Sequence, residues 1–201
     1  MSCFDKLFPK EPGYATDDMN NKLHYLLNDE VAQNKKLPPE LLHQCDEKKL
    51  DQLPQALGEF GRSPANPILV NGPLGELTYL SKLVLSNSKE KIYFHKLCTC
   101  AEKINVYEIT SQSGTFYDLL FVDIYHLHKS SIAPQGYELQ KDIQGIRGTN
   151  QLSKAFPENL YADLLQLTEE LLGFPVVDSD VKKINLEKFQ ETIKTNYNKR
   201  N

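Results

Sequence analysis

The sequence contains no apolar run of the length that a membrane-spanning helix needs, which is about 18 uncharged residues. The first stretch, MSCFDKLFPKEPGY, is also interrupted by charged side chains, namely Asp5, Lys6, Lys10 and Glu11. It therefore lacks the apolar region of a secretory signal. We expect a cytoplasmic protein without a membrane partner.

Cysteine is scarce, with four residues in 201: Cys3, Cys45, Cys98 and Cys100. The chain is too long and too rich in aliphatic residues to need disulfides for stability, and a Cys-x-Cys pair is an awkward local disulfide. We therefore expect four reduced thiols, which agrees with a cytoplasmic location.

Concentrated positive charge is also missing. The formal net charge is −4, and no segment combines clustered lysine and arginine with interleaved aromatic residues. A nucleic-acid-binding surface normally shows such a cluster. The sequence therefore indicates a protein that does not bind nucleic acid.

The common catalytic motifs are missing as well. There is neither a G-x-S-x-G nor an H-E-x-x-H motif. The stretch NGPLG at 71–75 lacks the residues of a phosphate-binding loop, and its composition predicts a tight turn. Asp118 and Asp123 are five residues apart on one predicted strand, so they point to opposite faces and cannot form a simple carboxylate pair.

What is present is the composition of an ordinary globular protein, with 40% hydrophobic and 25% charged residues. The length suits one domain over 1–201. Its N-terminal part, 1–60, is predicted to be helical. Leucines at helical spacing follow Thr16, and a second helix is predicted from Pro39 to Leu53, where Pro54 ends it.

Residues 61–128 are predicted to form a sheet. Four segments rich in β-branched and aromatic residues follow one another, ELTYLSKLVL, KIYFHKLCT, KINVYEIT and TFYDLLFVDIYHLH. The turns between them are too short for crossover helices, so neighbouring strands must be antiparallel. We expect an α+β fold in which a four-stranded antiparallel meander packs against N-terminal and C-terminal helices.

The rest of the chain is predicted to be a long loop at 129–152 followed by C-terminal helices at 153–201. A loop of this length inside a compact domain is usually functional or mobile. Pro157 and Gly173 frame the first of these helices, and the second is predicted to start after Asn185.

Six side chains near the predicted end of the sheet are chemically versatile: His95, Cys98, Cys100, Asp123, His126 and His128. Cys98 and Cys100, with His126 and His128, would make a Cys₂His₂ shell for zinc. Their strands are second neighbours, however, roughly 9.6 Å apart, and zinc ligands must approach to about 2.3 Å. The spacing also lacks the usual C-x₂₋₄-C signature, so we expect no metal and no other cofactor.

Another candidate is GIRG at 145–148, where Arg147 and backbone amides, with Lys129 nearby in sequence, could bind an anion. The simpler interpretation is a solvated loop charge. Without a catalytic signature, we expect a non-enzymatic protein that binds a protein partner through the 129–152 loop and the adjacent sheet edge. The competing hypothesis is a small enzyme or metal-binding protein that uses the six residues at the sheet end. The sequence gives no indication of oligomeric state.

Overall fold

The structure is a computed structural model that describes residues 16–101 and 103–200. Cys3 lies outside these residues. The helices are α1 (Thr16–Asn28), α2 (Glu30–Asn34), α3 (Pro39–Leu42), α4 (Gly72–Lys82), α5 (Leu160–Leu172) and α6 (Leu186–Arg200), with a 3₁₀ helix at Ser179–Lys183. The strands are β1 (Ile68–Leu69), β2 (Leu83–Leu85), β3 (Ile92–Cys100), β4 (Ile104–Ser111), β5 (Tyr117–Asp123), β6 (Tyr137–Leu139) and β7 (Gly148–Thr149).

The main sheet has five strands in the order β1-β5-β4-β3-β7. Strands β3, β4 and β5 are antiparallel neighbours, as their short turns predict, whereas β1 and β7 add to the two sides in parallel. The α+β class is therefore confirmed. The four-stranded antiparallel meander is wrong because the sheet is mixed and its outer strands come from elsewhere in the chain.

The first predicted strand of the meander, ELTYLSKLVL, is mostly helix. Helix α4 covers 72–82, and only Leu83–Leu85 continues as β2, which pairs with β6 in a separate two-stranded sheet. The helix is buried around almost its whole circumference, and its polar residues Glu76, Thr78 and Ser81 are buried with the leucines, so no exposed polar face marks it. A helix that is buried on all sides and a buried strand look alike in such a pattern.

The predicted tight turn at 71–75 is instead the start of α4. Gly72 has a φ of +75°, and a side chain there would collide with Leu37, because an added Cβ would lie 2.2 Å from Leu37 Cδ2. Pro73 occupies the first turn, where a missing N–H costs nothing. The glycine and proline therefore shape the entrance to a helix.

The second predicted helix, 39–53, is reduced to the single turn α3. After Cys45 the chain leaves helical geometry, because Asp46 pairs with the segment that follows β5. Its amide donates to Tyr125 O at 2.9 Å, and its carbonyl accepts from Leu127 N at 2.9 Å. A tertiary contact has therefore replaced the local preference for helix.

The segment 129–152 is not the unstructured loop that its composition predicts, because it contributes β6 and β7. Gly148 of β7 pairs with Phe94, and an added Cβ would lie 2.3 Å from the Phe94 ring. Only glycine allows this close approach, so β7 can pair with β3.

The C-terminal helices are confirmed. Helix α5 ends at Gly173, whose φ of +84° terminates it, and α6 starts at Leu186, directly after Asn185. Buried side chains of α4, α5 and the sheet belong to one hydrophobic cluster. None of the described helices is both long enough and apolar enough to cross a membrane.

Candidate functional site

The thiols of the predicted sheet-end site lie on β3. A β-bulge between Lys96 and Cys98 shifts the register, after which Cys98 pairs with Val106 and Cys100 with Ile104. Cys98 is exposed and Cys100 is half-buried. Strand β4 separates both thiols from β5, as expected for second-neighbour strands.

The two histidines do not share a face, because β5 ends at Asp123 and not at His128 as predicted. His126 is 4% exposed, and its Nε2 lies 3.3 Å from Asp123 Oδ2. That contact lies outside hydrogen-bonding geometry, so neither ring nitrogen has a hydrogen-bond partner among the described residues. His128 instead donates from Nδ1 to Glu30 Oε1 at 2.8 Å, on the N-terminal helices.

His95 is held in a structural position. Its Nδ1 accepts a hydrogen bond from Ser153 N at 3.1 Å, so the ring proton is on Nε2, which donates to Glu108 Oε2 at 2.8 Å. The ring also stacks on Phe156, with centroids 4.2 Å apart. Among residues 16–101 and 103–200, no group of three histidine, cysteine or acidic side chains is arranged to hold a metal ion. The expected absence of a metal and the competing hypothesis of a metal or enzymatic site at the sheet end both stay predictions.

Arg147 is neither a solvated charge nor a free anion-binding group. It is 3% exposed, its Nε donates to Asp178 Oδ2 at 3.1 Å, and its other nitrogens bond Gln140 and the Leu83 carbonyl. Asp178 also forms a salt bridge with Lys91, whose Nζ lies 2.8 Å from Asp178 Oδ2. Both interpretations of this arginine are therefore wrong, because its charge is used in an internal ion pair.

The most distinctive cavity lies where the N-terminal helices, α4 and the 129–152 segment meet. Its volume is about 300 Å³, and we call it the Lys82–Lys129 cavity. The residues lining it are Asn28, Asp29, Glu30, Tyr79, Lys82, Lys129, Ser130, Ser131, Leu139 and Gln140. A larger cleft of about 380 Å³ between β5 and α6 has only one charged lining residue, Glu191, which is exposed. The smaller cavity is therefore the better candidate for chemistry.

Both lysines are positioned by ordered structure. Lys82 ends α4, one turn after Tyr79. Lys129 precedes Ser130, which is tied to β1 from both sides: its amide donates to Leu69 O at 2.9 Å, and its hydroxyl accepts from Leu69 N at 3.1 Å. The base of the cavity is thus fixed by the backbone of the sheet.

The Lys129 amine is buried among neutral acceptors. Its Nζ donates to Gln33 Oε1 at 2.8 Å and lies 3.5 Å from Thr78 Oγ1. The pKa of Lys129 is lowered to about 8, first by burial and then by the positive charge of Lys82, against the opposing effect of the Glu30 and Asp29 carboxylates. Burial also lowers the pKa of Lys82.

The two carboxylates of the cavity are already engaged. Glu30 accepts from His128 through one oxygen and from the Lys129 amide, at 3.1 Å, through the other. Asp29 caps α2 by accepting from Ala32 N at 2.8 Å. Neither forms a salt bridge with the amine of Lys82 or Lys129 among the described residues.

Exposed apolar residues adjoin this cavity. Val31, 54% exposed, follows Glu30, and Ile132, 40% exposed, follows Ser131. Tyr25 is 53% exposed, and its pKa is raised by a hydrogen bond with Asp29. Exposed apolar side chains of this kind can be covered by a bound partner.

Sequence reasoning missed Lys82 and grouped Lys129 with Arg147, which bonds elsewhere. The available signal was weak: a lysine at the end of a leucine-rich segment, and the dense polar run HKSS at the start of a long connection. Comparison of the chain with known protein families, with curated proteins and with solved structures gave no match.

Proposed function

We propose that this protein acts without catalysis by binding a protein partner, and that an acidic side chain of the partner enters the Lys82–Lys129 cavity. One observation carries the proposal: two lysines line one cavity, and the Glu30 and Asp29 carboxylates that also line it form hydrogen bonds with His128 and with Ala32 N.

An anionic ligand would complement the two lysines of the cavity. Burial is the main cause of the lowered pKa of Lys129, and repulsion from Lys82 adds to it, whereas Glu30 and Asp29 act in the opposite direction. A carboxylate between them would satisfy both charges and accept hydrogen bonds at the same time. Among the described residues Lys82 forms no salt bridge, and the charge of Asp142 acts on its amine against the effect of burial.

The surroundings favour a macromolecule over a free small anion. Val31 and Ile132 follow lining residues in sequence and Tyr25 bonds Asp29, so a peptide segment would cover their exposed surface while its acidic side chain entered the cavity. The wall formed by 129–131 and 139–140 belongs to the long segment that the sequence singles out as a binding region.

Peptide binding tests this proposal. Two pools of end-blocked, fluorescein-labelled peptides would carry a central glutamate or a central glutamine, flanked by randomised residues. Fluorescence anisotropy should show that the glutamate pool binds roughly tenfold more tightly, since a desolvated charge pair contributes at least about 1.4 kcal/mol. Raised salt should weaken binding of the glutamate pool.

Variants assign the interaction to the cavity. Lys82→Met and Lys129→Met should each remove the preference for glutamate, and Ile132→Ser should weaken binding of the glutamate pool. Lys154→Met, at an exposed lysine outside the cavity, is the matched control and should bind as the wild type does. Equal binding of the two pools, or a glutamate preference that survives both cavity variants, would show that the proposal is wrong.

A further inference from the structure

We infer that Cys98 and Cys100 form a two-coordinate site for Cu(I), in which both sulfurs bind the ion as thiolates. The site lies on β3 and does not depend on the proposed protein partner or on the Lys82–Lys129 cavity. It also differs from the predicted Cys₂His₂ zinc shell, because it uses no histidine.

Both thiols lie on the same face of the sheet. Successive side chains of a strand point to opposite faces, so the residue between the two cysteines shows which face they occupy. Thr99 Oγ1 donates to Asn105 Oδ1 at 2.8 Å, and Asn105 Nδ2 donates to Glu76 Oε2 of α4, also at 2.8 Å. The side chain of Thr99 is therefore on the face that α4 covers, and Cys98 and Cys100 are on the opposite face.

The spacing of the two thiols suits a bridging ion and not a disulfide. From Cys98 to Cys100 the pairing with β4 has no register shift, so this part of β3 is extended. At about 3.3 Å per residue the two Cβ atoms are roughly 6.6 Å apart, whereas a disulfide needs about 3.8 Å. Two metal–thiolate bonds of about 2.3 Å, the length found at zinc, hold the sulfurs about 4.6 Å apart. Rotation about χ1 brings each sulfur toward the other and so reaches that distance.

Both thiols are available to a ligand. Cys98 is exposed and Cys100 is half-buried, and neither forms a hydrogen bond with the part of the chain that the structure describes. Cys45, by contrast, donates from Sγ to Leu41 O at 3.3 Å. Strand β7 pairs with β3 only before the bulge, so no strand covers the outer edge of β3 beside the two cysteines.

The surroundings select a soft ion that needs few ligands. The residues paired with the cysteines across β4 are Val106 and Ile104, which are aliphatic and offer no side-chain oxygen or nitrogen. Zinc sites normally take four ligands, and among residues 16–101 and 103–200 no third histidine, cysteine or acidic side chain joins the pair. Thiolates select Cu(I) among soft ions, and two of them satisfy it.

Binding of Cu(I) needs no oxidant or reductant. Each thiol gives its proton to the solvent, and each resulting thiolate donates an electron pair to the ion. Two sulfur–copper bonds form, two protons are released, and the copper remains Cu(I) throughout.

Competition for Cu(I) tests the inference on the full chain. Under anaerobic conditions the reduced protein is titrated into the coloured complex of Cu(I) with bicinchoninate, and loss of colour measures transfer of copper to the protein. We expect the protein to take up one Cu(I) per chain. Zn²⁺ at the same concentration should not reduce this uptake, because the pair offers too few ligands for zinc.

Cysteine variants assign the copper to the pair. Cys98→Ser and Cys100→Ser should each weaken Cu(I) binding by at least about 100-fold, since even loss of a residue that only supports a metal ligand costs about 10–100-fold. Cys45→Ser and Cys3→Ser are the matched controls and should bind as the wild type does. Far-ultraviolet circular dichroism confirms that each variant is folded.

X-ray absorption of the copper-loaded wild type tests the same site without a substitution and should show two sulfur neighbours. Failure of the protein to remove copper from bicinchoninate would overturn the inference. Wild-type affinity in Cys98→Ser or Cys100→Ser, an equal loss of affinity in either control, or a copper shell without two sulfurs would overturn it as well. None of these results bears on the peptide experiment, because the lysines of the cavity are unchanged in every variant.

Discussion

Replacing Lys129 by methionine should stabilise the protein at neutral pH. The pKa of Lys129 is about 8 in the folded chain, against an ordinary 10.5, so keeping this amine protonated costs about 3 kcal/mol of folding free energy. Methionine removes that cost but leaves the Gln33 amide oxygen without its hydrogen-bond donor, which destabilises the variant by about 1–2 kcal/mol. We expect a net gain of about 1–2 kcal/mol at pH 7.

The gain in stability from Lys129→Met should decrease as the pH rises. Above pH 8 the folded protein loses the Lys129 proton, while the unfolded chain keeps it until about pH 10.5. Because the unfolded state then binds more protons, wild-type stability rises with pH across this window. The advantage of Lys129→Met should fall by about 2–3 kcal/mol between pH 7 and pH 10, so the wild type becomes the more stable protein at high pH.

Urea unfolding followed by far-ultraviolet circular dichroism measures both quantities. Lys154→Met serves as the control for removing an exposed lysine and should change stability by less than about 0.5 kcal/mol at either pH. A Lys129→Met protein that is less stable than wild type at pH 7, or a difference that does not vary with pH, would refute the assignment of Lys129 as a desolvated, weakly basic amine.

Three further predictions concern stability and use the same urea assay. Arg147→Met should cost about 3 kcal/mol, because it leaves Asp178 buried with less compensation; a loss below about 1 kcal/mol would contradict the buried ion pair. Gly148→Ala should cost at least about 2 kcal/mol, since its Cβ would collide with Phe94, and an unchanged midpoint would argue against the β3–β7 contact. Burial raises the pKa of Glu76, so the wild-type protein loses stability as pH rises and this carboxyl group must ionise. Glutamine carries no such charge, so Glu76→Gln should become increasingly stabilising relative to wild type from pH 4 to pH 7. A pH-independent difference would count against this prediction.

The antiparallel centre of the sheet could be predicted because the sequence features that determine it are local. Strands β3, β4 and β5 have β-branched and aromatic residues, and turns of a few residues leave no room for another connection. The parallel outer strands could not be predicted in this way. Strand β1 is only two residues long, and β7 depends on the tight fit of Gly148 against Phe94, which no local pattern reports.

Helix α4 illustrates a second limit. Leu74, Leu77 and Leu80 are all buried, and the polar Glu76 and Thr78 between them are buried as well, so no exposed polar face marks a helical period. The glycine and proline at its start are compatible with a turn and with a helix entrance. Only the packing around the whole segment decides between them.

The candidate site was harder to predict than the fold because its two lysines are far apart in sequence. They meet because β1 pairs with β5 and because Ser130 bonds to the backbone of Leu69, which carries Lys129 to the end of α4. The predicted sheet-end residues, by contrast, are dispersed: His95 bonds Glu108, and His128 bonds Glu30. Residue type alone did not indicate which of them would share a space.

The short flanking strands have a consequence for how copies of this chain behave at high concentration. On one side, the Gly61 carbonyl accepts from Phe121 N and so occupies part of the outer rim of β5. On the other, the portion of β3 that extends past β7 is distorted by the bulge after Lys96. Such interruptions hinder the addition of a strand from a second molecule. We therefore expect the folded protein to resist growth into cross-β fibrils.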